Sequence, residues 1–336
     1  MVERVDVAVV GGGVMGLATA WALRRAGREP VVLEQFRVGD THGSSHGATR
    51  IFRLAYAEEE WVRLAQEALV LWRELEAETG EPALDLVGLL DLADDPAPLA
   101  AALDACGTAY ELLSAGEAEQ RFGLATQCRQ VLFQPEAGVV LADRAIRGFA
   151  AGVEVREQIR VTSLEPLDES VRVNTERGAL EASDVVVAGG AWAKQLLPDL
   201  PVIVTRETVA YFRLSDDRTV PSVIDYAAGE TYALTAGPGL LKVGLHHSGP
   251  QVDPDDGAGE PDDAVVAREA EWAARSWPLA SPQPERVETC LYTSTVDHRF
   301  VIERHDRVVV CSACSGHGFK FAPAVGTRAA ALTLGR

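Results

Sequence analysis

The sequence predicts an α/β fold of two domains, one built around a parallel sheet and one around an antiparallel sheet. Residues 4–10 and 30–34 are apolar, β-branched runs that flank a helical segment at 14–27, the pattern of a buried parallel βαβ unit. From 201 to 248 the chain changes to short strands of alternating polarity, which is typical of an antiparallel sheet. Residues 315–334 then form a glycine-rich loop that leads into a last helix. Because parallel patterns flank the antiparallel one, we expect the parallel domain to be discontinuous in sequence.

The length of 336 residues fits two domains of ordinary size. We predict that the parallel domain consists of three segments and the antiparallel domain of two. The parallel domain takes residues 1–86, 146–200 and 287–336, and the antiparallel domain takes residues 87–145 and 201–286.

The charge balance excludes several classes of partner. Lysine and arginine contribute 31 residues and aspartate and glutamate 50, which gives a net charge of −19. No run of basic residues offers a patch for nucleic acid or for an anionic membrane. No segment reaches the ~18 uncharged apolar residues that a membrane span requires. The apolar N-terminal run carries Glu3 and Asp6, which predicts a first strand and not a secretion signal.

The five cysteines, at 106, 128, 290, 311 and 314, are too few and too scattered for a disulfide framework. A reducing cytoplasm is therefore the expected location. Cys311 and Cys314 form a C-x-x-C pair, which is a redox or zinc pattern when it has the right context. Here the pair lies where a strand meets a glycine loop, and the chain has no second C-x-x-C. We interpret both as buried small side chains and predict no metal site.

A glycine motif, Gly11-x-Gly13-x-x-Gly16, directly follows the first strand and opens the first helix. Gly11 permits a tight turn, Gly13 lets backbone N–H groups approach a pyrophosphate, and Gly16 lets the helix pack closely on the strand. Glu34 ends the second strand 18 residues after Gly16, where a carboxylate accepts hydrogen bonds from ribose hydroxyls. The pattern predicts a Rossmann-like dinucleotide site but does not distinguish NAD from FAD.

The segment GSSHGATRIFR at 43–53 places two arginines three residues apart in an acidic chain. If 49–53 is a helical turn or the start of a strand, Arg50 and Arg53 can converge on one anionic group, which the guanidinium binds in bidentate fashion. The alternative is that both are surface arginines paired with the acidic run at 58–60. This segment alone leaves both interpretations open.

Four stretches carry a more specific pattern than the glycine motif: SSHGATRIFR at 44–53, KVGLH at 242–246, ETCLYT at 288–293 and SGHGFKF at 315–321. Taken in this order with the glycine motif and Glu34, they resemble the monomeric sarcosine oxidase and N-methyltryptophan oxidase family. Members of this family are FAD-dependent amine oxidases of the D-amino acid oxidase superfamily. The resemblance runs from residue 4 to about residue 333.

The resemblance implies a role for each matching residue. Cys290 matches the cysteine that forms a thioether to the flavin, and Lys242 matches the lysine that promotes reaction with oxygen. Arg53 and Lys320 match the pair that holds the substrate carboxylate. The remaining matches are His46 and Arg50 beside the flavin ring, and His246 and Tyr232 in the substrate cavity.

The resemblance also implies a set of FAD contacts. They are Gly11, Gly13, Val14, Met15, Gly16, Glu34, Gln35, Ser44, Ser45, Arg50, Val161, Gly189, Trp192, Cys290, Gly316, Gly318, Phe319 and Lys320. A helix that begins near Ala322 would direct its positive end toward the flavin. The lysine and the arginines supply the cations that this chemistry needs, and no step requires a metal.

The expected reaction is the oxidation of a secondary amino acid such as sarcosine to an imine, with dioxygen reduced to hydrogen peroxide. The expected partners are therefore a small amino acid and dioxygen, and the expected state is a monomer. Two alternatives stay open, a flavin dehydrogenase that passes electrons to a partner and a flavin-bearing subunit without catalysis. An NAD dehydrogenase fits the glycine motif but leaves ETCLYT and SGHGFK unexplained.

The sequence departs from the family pattern in three places. Residues 145–160 are shortened, the chain runs only 16 residues past Lys320, and Val223 and Ile224 replace a methionine-bearing segment that shapes the pocket. The last departure leaves the identity of the amino acid open.

Overall fold

The computed structural model describes residues 2–257 and 259–336 and arranges them around three sheets. The strands are β1 Glu3–Val10, β2 Pro30–Glu34, β3 Thr49–Phe52, β4 Leu84–Asp85, β5 Leu89–Leu92, β6 Glu111–Ser114, β7 Gln130–Gln134, β8 Gly138–Leu141, β9 Glu154–Glu157, β10 Val161–Pro166, β11 Val171–Thr175, β12 Gly178–Val187, β13 Ile203–Arg213, β14 Ser222–Asp225, β15 Thr231–Thr235, β16 Leu240–Leu245, β17 Arg286–Ser294, β18 Val301–His305 and β19 Val308–Ser312. The helices are α1 Val14–Arg25, α2 Glu59–Thr79, α3 Ala97–Ala105, α4 Ala115–Phe122, α5 Ala142–Ala150, α6 Ala193–Leu196, α7 Asp263–Ser276 and α8 Ala322–Thr333. Within the described ranges, no helix is both long enough and apolar enough to cross a bilayer.

The first sheet has eight strands and a parallel centre. Its main order is β10-β11-β12-β1-β2-β9, and β1 is parallel to both β2 and β12. The carboxyl-terminal half of β12 also pairs in parallel with β19, which carries β18 as an antiparallel neighbour. The apolar β-branched composition of these strands suits burial on both faces. This sheet confirms the predicted Rossmann-like part of an α/β fold.

Helices α1 and α8 pack against each other on one face of this sheet, and their backbones are in direct contact. A Cβ on Gly326 of α8 would lie 2.5 Å from the carbonyl carbon of Ala18 in α1. Only glycine permits this approach. Arg304 on β18 donates to the carbonyl oxygens of Leu332 and Thr333, at 2.6 and 2.8 Å, and so satisfies the end of α8. The first and last helices are thereby fixed to one another.

The second sheet also has eight strands, in the order β17-β13-β16-β15-β14-β5-β7-β6, and its pairs are antiparallel except for β14 with β5. Strand alternation gives it two different faces. One face packs against α7 through apolar residues, among them Ala210, Val243 and Trp272. The opposite face carries side chains in register across the strands, and they are Cys290, Tyr211, Lys242, Tyr232, Ile224 and Asp91. This second face forms one wall of the candidate site.

Two of the predicted domain boundaries fall inside elements. Residues 287–294 lie in β17, which pairs with β13 of the second sheet, so this stretch is not part of the parallel sheet. The boundary at 145/146 falls within α5. The small sheet β3-β8-β4 packs between the larger two, since β3 and β8 contact β15 and also α5. Which strand pairs with which depends on contacts between residues distant in sequence. The local pattern of polar and apolar residues does not identify the neighbouring strand.

Candidate active site

One long cavity runs from the carboxyl ends of β1 and β2 to the inner face of the second sheet. It is lined by all but two of the residues that the sequence proposes for the site. They are Gly11, Gly13, Val14, Met15, Glu34, Gln35, Ser44, Ser45, Arg50, Arg53, Val161, Gly189, Trp192, Tyr232, Lys242, His246, Cys290, Gly316, Gly318, Phe319 and Lys320. The two exceptions are Gly16 and His46, which lie behind the wall of the cavity.

The glycine turn between β1 and α1 leaves no room for side chains. Gly11 adopts a left-handed φ of +106°, and a Cβ there would lie 2.5 Å from the carbonyl oxygen of Ala188. A Cβ on Gly16 would lie only 1.9 Å from the carbonyl oxygen of Gly11. Gly16 therefore acts through close packing of helix and turn, which explains why it does not line the cavity.

Glu34 ends β2 with its carboxylate turned back toward the glycine turn. Its Oε2 accepts from the Gly12 N–H at 2.6 Å and its Oε1 accepts from the Phe36 N–H at 2.8 Å. Burial raises the pKa of Glu34, and these two donors oppose the rise. Each oxygen keeps a further lone pair, so the carboxylate can still accept from the hydroxyls of a ribose.

The loop that contains Ser44 and Ser45 is bound to elements on both sides of the cavity. The Ser45 hydroxyl accepts from the N–H of Val14 at 3.0 Å, and this is the first residue of α1. The Ser44 hydroxyl donates to the carbonyl of Leu291 on β17. Arg50 donates to the carbonyl oxygens of Ser44 and Thr49, each at 2.9 Å. Arg50 therefore holds this loop in place, and its guanidinium lies 5.7 Å from the centre of the Phe319 ring.

Arg53 has different partners from Arg50, although both line the same cavity. Its Nη1 donates to the hydroxyl of Tyr226 at 2.5 Å and lies 3.6 Å from Oδ1 of Asp91. The guanidinium also lies 4.2 Å from the centre of the Tyr56 ring. Within the part of the chain that the structure describes, the two arginines thus share no anionic partner. The acidic run at 58–60 pairs instead with Arg63 and Arg299, so the alternative of surface ion pairs does not apply to Arg50 or Arg53.

Asp91 belongs to a buried polar network that the sequence did not predict. It is 0% exposed, and its Oδ2 accepts from the Gln134 side-chain amide at 2.5 Å. The Gln134 carbonyl in turn accepts from the N–H groups of Leu54 and Ala55, at 2.9 and 2.7 Å. Burial raises the pKa of Asp91 to about 6, although Arg53, Gln134 and the Tyr226 hydroxyl act against it. The network ties the residues that follow Arg53 to the second sheet.

Lys320 lies at the same end of the cavity as Arg53 and is only 5% exposed. Its ammonium donates to the carbonyl of His317 at 2.6 Å, and its own carbonyl accepts from the Trp72 indole at 2.8 Å. Burial, reinforced by the charge of Arg53, lowers the pKa of Lys320. Burial also lowers the pKa of His317 to about 3, and Lys320 adds to that effect. Two buried cations thus face the cavity beside a neutral imidazole.

Lys242 lies at the middle of β16 and is 7% exposed. Its ammonium is 5.6 Å from the centre of the Tyr211 ring on the neighbouring strand. Within residues 2–257 and 259–336 it donates no hydrogen bond, which is rare for a buried ammonium. Burial lowers the pKa of Lys242 to about 8, with a further contribution from Arg50. The ammonium is therefore free to interact with a group in the cavity.

Aromatic side chains form the wall next to Lys242. The His246 ring lies 4.8 Å from the Tyr232 ring centre, and its Nδ1 is 3.4 Å from the Tyr292 hydroxyl. Burial holds the pKa of His246 well below its ordinary value, so this ring is neutral. The backbone carbonyl of His46 accepts from Arg50, and burial lowers the pKa of the His46 ring to about 4. Its Nε2 has no hydrogen-bond partner among the described residues.

Cys290 lies on β17 with its thiol in the cavity wall. Burial raises the pKa of this thiol, whereas the nearby charges of Lys242 and Arg50 oppose the rise. The two cysteines of the C-x-x-C pair are unbonded to each other. Cys311 is buried in the core, and the sulfur of Cys314 accepts from the Thr293 N–H at 3.4 Å. In the described part of the chain, no three or more His, Cys, Asp or Glu side chains are grouped to hold a metal ion.

The shape and chemistry of the cavity suit a dinucleotide with a ring system at its far end. The glycine turn offers backbone N–H groups at the amino terminus of α1, where a pyrophosphate binds. Glu34 offers acceptors for a ribose, and the cations lie at the opposite end of the cavity. The chain matches the model of the family described as "FAD dependent oxidoreductase", DAO, over residues 6–332. The chain belongs to this family.

Within the family of FAD-dependent oxidoreductases, similar proteins include sarcosine oxidases. Monomeric sarcosine oxidase of Bacillus sp. (strain B-0618) is 32% identical over 366 residues, covering 99% of this chain and 93% of the relative. Peroxisomal sarcosine oxidase of Homo sapiens is 31% identical, with 96% of this chain and 90% of the relative covered. N-methyl-L-tryptophan oxidase of Yersinia pestis (strain Pestoides F) is 29% identical, with 97% and 94% covered. The resemblance noted in the sequence is confirmed.

Solved structures agree with the fold of this flavoprotein. NikD, described as an unusual amino acid oxidase essential for nikkomycin biosynthesis, superposes with a TM-score of 0.87 at 28% identity, covering 99% of this chain and 94% of NikD. L-proline dehydrogenase from P. horikoshii superposes with a TM-score of 0.88 at 22% identity, covering 100% of this chain and 95% of that structure. At that identity the second likeness supports the fold alone.

Proposed function

We propose that this flavoprotein oxidises a secondary amino acid such as sarcosine to an imine, which water hydrolyses, and that dioxygen is reduced to hydrogen peroxide. The observation that carries the proposal is the cavity that joins a dinucleotide site to two buried cations, Arg53 and Lys320, and to a third, Lys242. The relatives named for sarcosine and N-methyl-L-tryptophan support the same class of substrate. We further propose that the chain works as a monomer in the cytoplasm, without a nucleic-acid or membrane partner.

The chemistry that FAD supplies is the acceptance of a hydride equivalent from the substrate and its transfer to dioxygen. The glycine turn and Glu34 would hold its nucleotide half, and Cys290 would bind its ring through a thioether. That bond replaces one methyl C–H and the thiol S–H, and dioxygen takes the two electrons and two protons released. Lys242 and Arg50 favour the thiolate that this step needs, because both lie close enough to lower the cost of its charge.

Arg53 and Lys320 would bind the carboxylate of the amino acid. Both face the cavity and are largely shielded from water, so each bond to a carboxylate is stronger than at the surface. Among the described residues only Nη1 of Arg53 is hydrogen bonded, so Nε and Nη2 are available to a ligand. Holding the carboxylate fixes which C–H bond faces the ring, and such orientation accounts for a large part of the rate.

The amine of the substrate must lose its proton before the C–H bond is oxidised. A cavity lined by Arg53, Lys320 and Lys242 disfavours a further positive charge, and so lowers the pKa of a bound ammonium. His246 and Tyr232 are neutral and give this part of the cavity an aromatic wall. They confine the amine and exclude water without adding a charge of either sign.

Lys242 would assist the reduction of dioxygen. Negative charge develops on oxygen when it accepts the first electron. An ammonium that donates no hydrogen bond to any described residue can stabilise this charge at short range. The pKa of about 8 keeps Lys242 largely protonated at neutral pH. Its place on a buried strand keeps the ammonium fixed, so little reorganisation is needed at the moment of reaction.

The proposal is tested by mixing the holoenzyme anaerobically with a panel of amino acids and recording the flavin absorbance. Sarcosine, L-proline, L-pipecolate and N-methyl-L-tryptophan cover the secondary amines, and glycine serves as the primary-amine control. We expect bleaching by at least one secondary amine, and one equivalent of hydrogen peroxide when air is admitted. Bleaching that persists in air would point to a dehydrogenase. No bleaching by any member would contradict the proposed function.

A further inference from the structure

We infer that Asp91 is a positioning residue for Arg53, and that it takes up a proton when Arg53 binds the carboxylate of a ligand. This inference rests on the proposed function, because it assumes that Arg53 is the carboxylate anchor. Carboxylate binding by Arg53 does not by itself require Asp91 or the uptake of a proton, so both are additional to the proposed function.

Asp91 is an acidic residue inside an apolar strand, Leu89–Leu92, all of which is buried. The register with β14 places it opposite Ile224, on the sheet face that carries Tyr232 and Lys242. A carboxylate is costly to bury without compensation, so its partners show why it is tolerated. Those partners are Gln134 on Oδ2, and the Tyr226 hydroxyl and Arg53 on Oδ1, at 2.5, 3.4 and 3.6 Å.

The contacts of Arg53 show what Asp91 does for it. Nη1 is held by the Tyr226 hydroxyl, which itself lies within hydrogen-bonding distance of Asp91. Asp91 therefore orients one side of the guanidinium, both directly and through Tyr226. The other side of the guanidinium remains for a ligand. Gln134 fixes Asp91 and also binds the backbone after Arg53, so the anchor and its support move as one unit.

A ligand carboxylate on Arg53 would introduce a second anion on the same guanidinium. Keeping two ionised carboxylates beside one cation costs free energy. That cost is removed when the buried carboxylate, Asp91, accepts a proton. Asp91 is placed to do so, because its pKa already lies at about 6 before any ligand is bound. The bound anion raises that value further.

The direction of the pH effect follows from linkage. Above pH 7 Asp91 is ionised in the free protein, so binding a carboxylate requires either two neighbouring anions or the uptake of a proton. About one unit below pH 6 Asp91 is mostly protonated, so binding then requires neither an anion pair nor proton uptake. Ligand affinity therefore increases as the pH falls through this range and levels off below it. If the ligand raises the pKa of Asp91 by half to one unit, the increase is about three- to tenfold.

Other titratable groups near this end of the cavity behave differently. Lys320, in the turn before α8, and Tyr56, in the loop after β3, both interact with the charge of Arg53. His246 and His317 contribute charge to the same region when protonated. The pKa of His317 lies at about 3 and that of His246 well below its ordinary value, so neither titrates near pH 6. Burial lowers the pKa of Lys320, and any proton that Lys320 takes up on binding would also be taken up by Asp91→Asn. Only the proton uptake that is lost in Asp91→Asn is assigned to Asp91.

The test is calorimetric titration of the oxidised holoenzyme with methoxyacetate, an ether analogue of sarcosine that has no oxidisable C–N bond. Titrations at each pH from 5.5 to 8 in two buffers of different ionisation enthalpy give the number of protons taken up. We expect uptake between pH 6 and 7 for the wild type and none for Asp91→Asn, whose affinity should be flat over that range. The neutral amide methoxyacetamide should bind without uptake. Wild-type binding without proton uptake, or equal uptake in Asp91→Asn, would overturn the inference.

Two further variants separate this inference from the proposed function. Tyr226→Phe keeps the carboxyl group of Asp91 and should still take up the proton, with weaker binding because Arg53 is less well oriented. Arg53→Met should lose methoxyacetate binding at every pH. If Arg53→Met binds as the wild type does, the proposed carboxylate site is wrong. If Arg53→Met loses binding while Asp91→Asn matches the wild type, only the role of Asp91 is wrong.

Discussion

Gly244 lies directly opposite Tyr232 across the β15–β16 ladder, and a Cβ on Gly244 would come within 2.5 Å of the tyrosine ring. The tyrosine therefore lies flat over its neighbouring strand, in space that only glycine leaves open. From there its ring contacts His246 and forms part of the cavity wall. The position of a ring in the cavity wall thus depends on a missing methyl group one strand away.

Gly244→Ala should displace the Tyr232 ring into the cavity and lower kcat/KM by about ten- to a hundredfold, since small displacements at a reacting centre have large effects on rate. Steady-state kinetics with the best amine from the panel would measure the effect. Gly116→Ala is the matched control, because Gly116 has open space around its Cβ position in α4. It should leave kcat/KM unchanged. Equal kinetics for the two variants would show that the Tyr232 position does not matter.

Cys290 should attach the flavin covalently. Acid precipitation of the holoenzyme should leave the yellow colour in the pellet, and Cys290→Ala should release it into the supernatant. Mass spectrometry of the intact chain should show the added mass of FAD only when Cys290 is present. Cys314→Ala is the matched control, since Cys314 also lines the cavity. A colourless pellet from fully loaded wild-type protein would exclude the thioether.

Arg53→Met and Lys320→Met should each weaken the binding of the amino acid. The loss of one charged hydrogen bond to a shielded carboxylate costs about 2–4 kcal/mol, which corresponds to roughly thirty- to eight-hundredfold in kcat/KM. The Kd of methoxyacetate, measured from the change in flavin absorbance, should increase in parallel. Arg218→Met, which removes an exposed arginine paired with Asp216, is the control and should change neither quantity.

Lys242→Met should slow the step with dioxygen far more than the step with the amine. Preorganised charge at a developing anion is worth about 3–4 kcal/mol, so we expect the oxygen reaction to fall by two or more orders of magnitude. Stopped-flow mixing of the substrate-reduced enzyme with oxygenated buffer measures it. Lys194→Met removes an exposed lysine and is the control. Small and equal effects on both steps would favour a lysine without a role in catalysis.

The same lysine should give the oxygen reaction a pH dependence. Its pKa is lowered to about 8, so the ammonium is present below that pH and is lost as the pH rises through it. The rate constant for the oxygen reaction should therefore decline above pH 8 in the wild type. Lys242→Arg keeps its charge at all these values and should show no decline. A decline of the same size in Lys242→Arg would assign the pH dependence to another group.

Glu269 on α7 should lower the stability of the protein at neutral pH. It is 0% exposed, and burial raises its pKa from 4.5 to about 9. The folded state thus keeps a proton that the unfolded state loses, and stability falls as the pH rises from 4.5 toward 9. Glu269→Gln should increase the free energy of unfolding at pH 7.5 by on the order of 2–4 kcal/mol.

The gain from Glu269→Gln should shrink as the pH is lowered toward 4.5, where the wild-type carboxyl group is protonated in both states. Urea titrations at pH 5 and pH 7.5 measure it. Glu271→Gln, an exposed position on the same helix, is the control and should give no such pH-dependent gain. A gain of the same size at both pH values would show that the effect does not come from ionisation.

Local pattern was sufficient for the elements of the parallel sheet. The strand at 30–34 has the predicted bounds, and the helix predicted at 14–27 begins at Val14 and ends at Arg25. Hydrophobic periodicity marks both elements within the sequence itself, and Gly27 marks the end of the helix. The pairing of β17 with β13 was not predictable in the same way. Both strands alternate in polarity, and which sheet an alternating strand joins depends on contacts between residues distant in sequence.

The residues of the candidate site also fall into a group that the sequence predicted and a group that it did not. Residues in contiguous motifs, such as Ser45 beside the glycine turn, come together as expected, whereas Asp91, Gln134 and Tyr226 were missed. These three come from β5, β7 and the end of β14, which only the sheet order makes neighbours. Two features of the sequence did point to the chemistry. Asp91 is a charge within an apolar strand, and two of only three lysines in the chain, Lys242 and Lys320, lie in the site.

The backbone contact between Gly326 of α8 and Ala18 of α1 has a consequence for biosynthesis. A growing chain produces the glycine turn and α1 early, yet the helix that packs on them begins 297 positions after Arg25, at Ala322. At ordinary rates of about 5–20 residues per second, the ribosome needs some fifteen seconds or more to reach it. During that interval the nucleotide-binding turn has strands around it but lacks its supporting helix. We therefore expect stable FAD binding only after residues 322–333 have been made, and not in a nascent chain that stalls in the second sheet.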